Sequence, residues 1–90
     1  MSEVVVLLSS LLLADLQAGS PETRAGVAVL QEVQAAKADV MYDTAFPDPD
    51  DPNLIHLTIF VEDGAEQLAL ALRGLSGVHA SYVKPAADLP

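Results

Sequence analysis

Two strand-helix-strand runs joined by a proline-rich turn predict an α+β fold of the split βαβ, ferredoxin-like kind. That fold is a four-stranded antiparallel sheet with two helices on one face. Three observations carry the expectation: a β-branched apolar run near the N-terminus, strict alternation over Leu54–Glu62, and an amphipathic helix pattern after the first and third strands. At 90 residues the chain holds one small core. A single domain is expected over residues 1–84, with residues 85–90 as an extended tail.

Glu3–Ser9 reads as a buried central strand, because it is apolar and rich in valine. Leu11–Leu16 is a nearly continuous leucine stretch that fits either a prolonged strand or a short helix. Gly19-Ser20-Pro21-Glu22 reads as a helix start, with Ser20 as cap, Pro21 at the first helical position and Glu22 at the positive end. The helix expected from there to about Ala38 gathers Gly26, Val29, Leu30, Val33 and Ala36 on one side. Val40–Phe46 alternates like a strand, and the prolines at 47, 49 and 52 exclude regular structure in the run that follows. In the third strand Ile55, Leu57, Ile59 and Val61 form one aliphatic face, and His56, Thr58, Phe60 and Glu62 the other. Asp63-Gly64-Ala65-Glu66 reads as a capping box in which Asp63 caps and Glu66 reaches back. Ala65, Leu68, Leu72 and Leu75 give the second helix its buried side, and Val78–Lys84 is a final short strand.

Composition narrows function. Thirteen acidic residues against four lysines and arginines give a net charge of −9, which repels phosphate backbones and anionic lipid. Nucleic acid and membrane surfaces are therefore not expected partners. The chain has no cysteine, which removes disulfides, thiolate metal sites and thiol nucleophiles. His56 and His79 are the only candidate bases, and no nucleophile elbow or glycine-rich phosphate loop accompanies them. No catalytic, cofactor-binding or metal residue is expected, and the chain is not read as an enzyme. Asp48, Asp50 and Asp51 lack the glycine and terminal glutamate of a calcium loop, so a stiff solvated turn is expected there. The apolar stretch before Ala14 is too short to span a bilayer and has no cationic start. The expected location is the cytoplasm, or outside the cell if the chain is a piece of a secreted precursor.

One face of such a sheet stays uncovered. His56, Thr58 and Phe60 would lie on it, and an exposed half-apolar sheet face serves a partner or a second copy. The segment Tyr82-Val83-Lys84-Pro85-Ala86-Ala87-Asp88-Leu89-Pro90 leaves the sheet extended, since its prolines exclude a helix. It reads either as a frayed terminus or as a strand that pairs with a partner's sheet or cleft.

Residues 39–90 carry a resemblance. The strand His56-Leu57-Thr58-Ile59-Phe60-Val61, the helix ending Ala71-Leu72-Arg73-Gly74-Leu75, and the closing Gly77-Val78-His79-Ala80-Ser81-Tyr82-Val83-Lys84-Pro85 are similar to the propeptide domain of bacterial subtilisin-like serine proteases. The resemblance implies an inhibitor and folding chaperone acting on a subtilisin-like protease, in cis or in trans. His56, Thr58 and Phe60 would then contribute to docking on the protease. Tyr82, Val83, Lys84, Pro85, Asp88, Leu89 and Pro90 would run along its cleft, while acidic side chains meet the protease's helix N-termini. The alternative is a regulatory or assembly module that forms a homodimer through the open sheet face, with a small-ligand site at the interface. No cofactor is expected in either case.

Overall fold

A computed structural model describes residues 2–19 and 21–84. The elements are β1 (Ser2–Ser9), α1 (Ser10–Gln17), α2 (Arg24–Ala35), β2 (Asp39–Pro47), β3 (Leu54–Val61), α3 (Ala65–Arg73) and β4 (Val78–Val83). The sheet has the order β2-β3-β1-β4 with every pair antiparallel, as the α+β, ferredoxin-like expectation requires.

The core lies between one sheet face and the helices. Val4, Val6 and Leu8 of β1 and Leu57, Ile59 and Val61 of β3 are all at most 1% exposed, which fixes which side of the alternation turns inward. Val29, Val33, Leu68 and Leu72 pack onto them from α2 and α3. A third, short helix joins the two expected. The leucine stretch is α1, capped by Ser9, whose side-chain oxygen accepts the Leu12 N–H at 3.2 Å. Leu12, Leu13 and Leu16 of α1 are buried in the same core, so this segment covers the helix side and leaves the other sheet face alone.

Two expected caps are replaced. Helix α2 starts at Arg24, not near Pro21, with Thr23 as its cap accepting the Gly26 N–H at 3.0 Å; Ser20 lies outside the described residues. The cause is Asp15 at the end of α1. Its carboxylate accepts the Glu22 N–H at 2.9 Å, the Thr23 N–H at 3.2 Å and the Thr23 hydroxyl at 2.7 Å, which holds residues 22–23 in a link rather than a helical turn. These bonds lower the Asp15 pKa, that from Glu22 most. Helix α2 ends at Ala35, three residues before the expected limit. At α3 the cap is Gly64, left-handed at φ 76°, with no side-chain bond; Asp63 does not cap, and Glu66 keeps only its favourable place in the first turn.

Candidate docking face

The open face is built by register. Residues directly opposite in an antiparallel pair share a face, so the pairings define three rows across the sheet. Met41, Thr58, Val5 and Tyr82 form the middle row. Phe46, His56, Leu7 and Ala80 form the next, toward the acidic loop. Asp39, Phe60 and Glu3 form the third, at the end where β4 runs out. Val5, Leu7, Met41 and Phe60 are only half-buried, while Phe46 and Tyr82 on the two edge strands are exposed. The face is an apolar floor with an aromatic side chain at each edge and carboxylates at one end.

Phe46 reaches this face through an irregularity. The β2–β3 register breaks between Met41 and Phe46, so both residues turn outward although five positions separate them. Tyr42, inside the break, points the other way and donates its hydroxyl to the Leu16 carbonyl at 3.3 Å. Desolvation raises its pKa.

The acidic loop folds onto the same face. His56 Nε2 and Asp48 Oδ1 lie 2.7 Å apart, and the Phe46 ring stacks on the imidazole with centroids 4.8 Å apart and planes 7° from parallel. Asp48 Oδ2 accepts the N–H groups of Asp50 and Asp51 at 3.0 and 3.2 Å, and Asp51 Oδ1 accepts that of Asn53 at 3.0 Å. The bond to His56 first, and then the two backbone donors, hold the Asp48 carboxyl below its usual range. The loop is a turn, as expected at that point, and is held by these hydrogen bonds. Among the described residues no group of three or more acidic or histidine side chains is arranged to hold a metal.

Of the residues expected to bind a partner, His56, Thr58, Phe60 and Tyr82 meet on the open face. Val83 does not join them. It lies opposite Val4 and packs against the core from the helix side, one step out of phase with Tyr82. Lys84 follows at the end of β4, its backbone N–H bonded to the Glu3 carbonyl at 2.8 Å and its ammonium 4.0 Å from the Glu3 carboxylate. Pro85, Asp88, Leu89 and Pro90 lie outside the described residues. Val5, Leu7, Met41, Phe46 and Asp48 belong to the face and were not singled out from sequence. Strand periodicity gave a signal for Val5 and Leu7, whereas Phe46 depends on the break in register.

His56 has a carboxylate neighbour in Asp48 and is stacked against Phe46, and among the described residues no hydroxyl is hydrogen-bonded to it. His79 is exposed on the bulge of β4, between the residues paired with Leu7 and Leu8. Three surface cavities, one between α2 and α3, one between α3 and β4, and one beside α1, are lined by neither histidine. No helix among the described residues is long and apolar enough to cross a membrane. No model of a known protein family matches the chain, and no curated protein matches it in sequence.

Proposed function

We propose that the chain is a propeptide-like inhibitor and folding chaperone of a subtilisin-like serine protease, and acts by binding rather than by catalysis. The open sheet face carries this reading. It is apolar at its centre, has aromatic side chains at both edges, and adjoins the strand that continues into the proline-bounded tail. Docked on the protease, Phe60, Thr58, Val5 and Tyr82 supply the desolvated contact. The tail enters the cleft as an extended strand, where main-chain hydrogen bonds give affinity whatever its side chains. Tethering through the face raises the tail's effective concentration at the cleft, so two weak contacts act as one strong one.

A face and an adjoining segment together hold a partner more firmly than the face alone, and residues 85–90 follow closely on β4 at one edge of this face.

The test uses the purified chain and a version ending at Val83, each added at micromolar concentration to a subtilisin-type protease. The full chain is expected to slow hydrolysis and to speed refolding of the denatured protease, and the shortened chain to inhibit at least about tenfold less. Hydrolysis and refolding both unaffected by the full chain would sink the proposal.

A further inference from the structure

The two sheet edges are guarded differently. Strand β2 is irregular, carries Asp39 and Asp43 and ends at Pro47, all of which discourage pairing. Strand β4 is the other edge and contains no proline, carboxylate, lysine or arginine. The Lys84 N–H bonds inward to the Glu3 carbonyl, so alternation along the strand turns the peptide groups of Ser81 and Val83 outward. Beside this edge runs one stripe of α3, in which Glu66, Leu70 and Arg73 stand at helical spacing and are all exposed. The stripe and the strand border a cavity of about 300 Å³ whose lining also includes Ala69, Tyr82 and Val83. Leu70 is 61% exposed and Tyr82 45%, so an apolar and an aromatic side chain stand open at the unpaired edge. Arg73 donates from Nε and Nη2 to the Ser81 carbonyl at 3.3 and 2.9 Å. Among the described residues neither Arg73 nor Glu66 has an oppositely charged partner.

We propose that the occupant of this edge is a second copy of the chain, with β4 paired antiparallel to β4 about a two-fold axis at Tyr82. A two-fold interface must be complementary to itself, and the stripe on α3 has that property. Glu66 stands as far before Ala69 as Arg73 stands beyond Leu70. An axis passing between Ala69 and Leu70 therefore sets Glu66 of each copy against Arg73 of the other, and Leu70 against Leu70. Tyr82 and Val83 border the cavity with Ala69 and Leu70, while Ser81 lies at Arg73, which puts the axis on the strand at Tyr82. That register suits the backbone as well. It places Ser81 of one copy opposite Val83 of the other, and these are the residues whose peptide groups point outward. The Ser81 carbonyl has a second lone pair for the incoming Val83 N–H, and the Arg73 guanidinium keeps unused N–H groups for Glu66. On the open side the two Tyr82 rings meet as a cross-strand aromatic pair. The helices stay on the other side, so the two open faces join into one wider surface. This association goes beyond the proposed function and does not rest on it.

Sedimentation equilibrium from micromolar to millimolar concentration reads the association directly. Salt of about 0.15 M screens the repulsion between two copies of charge −9 beyond about 8 Å. The full chain is expected to dimerise in this range. Glu66→Arg and Arg73→Glu, each alone, turn both symmetry-related ion pairs into like-charge contacts and should raise the dissociation constant by roughly tenfold or more. An equimolar mixture of the two variants should restore the dimer, because each copy then presents the opposite charge to the other at both contacts. Hydrogen exchange gives a backbone readout: the Ser81 and Val83 amides, which point away from the sheet, should become protected as concentration rises. A full chain that stays monomeric to millimolar concentration overturns the inference. So does a dimer unchanged by both single variants, or a mixture as dissociated as its components. A dimer whose Ser81 and Val83 amides exchange at the monomer's rate overturns it as well, and assigns association to the open face. None of these readouts involves a protease, so the inhibitor reading can fail while this inference stands, and the reverse.

Discussion

Strand β3 presents two opposite environments one residue apart. Leu57, Ile59 and Val61 are about 1% exposed beneath the helices, whereas His56, Thr58 and Phe60 on the other side are only half-buried. The same backbone serves both, so stability and recognition are separated by the period of two rather than by region of the chain. The helix side is aliphatic throughout. The open side mixes aromatic, imidazole, hydroxyl and carboxylate groups, a composition suited to a surface that is covered part of the time.

If that separation is real, its largest signature is Ile59→Ala. Removing a branched side chain from the closed core should cost about 2–5 kcal/mol in urea unfolding. A loss below about 1 kcal/mol would mean that the helix side is loosely packed and that the two faces are less distinct than their exposures indicate. The second largest effect is at the anchor of α1. Gly77 sits at φ 83°, where a Cβ would lie 2.9 Å from Leu12 Cδ2, and its carbonyl accepts the Ser9 N–H at 3.0 Å. Gly77→Ala should cost at least about 1–2 kcal/mol from the left-handed backbone alone. A neutral result would show that α1 is not held against the core side by this turn.

Phe60→Ala inverts the pattern. Its cost in stability should be smaller than that of Ile59→Ala, since the ring is only partly buried, while on the proposed function inhibition of a subtilisin-type protease weakens by roughly tenfold or more. Equal inhibition by Phe60→Ala and the unaltered chain would remove Phe60 from the contact and leave the carboxylate end of the open face without its aromatic anchor.

The two faces also differ in how far the sequence discloses them. The aliphatic run of β3 and the faces of α2 and α3 are legible because burial repeats with the period of the element. The leucines at 11–13 and 16 are not, because a nearly continuous apolar stretch fits strand and helix alike; Ser9 decides it by capping. Asp15 was illegible as the organiser of the α1–α2 link, since its partners stand seven and eight residues away. Phe46 and Asp48 were hidden for a related reason. The irregular register of β2 changes which residues face outward, and the loop's fold back onto His56 is a contact of tertiary structure, not of spacing. The acidic loop was legible as a turn and illegible as part of the face. Tyr82 and Val83, adjacent in the segment expected to run along a cleft, take opposite sides of β4, as the strand's period of two requires.

The smallest expected effect concerns that loop and is read through pH. The Asp48 carboxyl titrates below its unfolded range because it is bonded to His56 and to the N–H groups of Asp50 and Asp51. A carboxylate with a depressed folded pKa contributes stability above its unfolded pKa of about 4, and that contribution is lost as pH falls through the folded value. Asp48→Asn removes the ionisable group but can keep an amide oxygen for the two backbone donors. Its Tm should therefore lie below that of the unaltered chain near neutral pH, and the two should converge as the pH falls below about 4. Inhibition should weaken in parallel if the loop, by holding His56 beneath Phe46, sets the edge of the open face. A pH-independent gap in Tm would mean that the loop is held by its backbone turn alone and that the carboxylate contributes nothing special to the exposed side of the sheet.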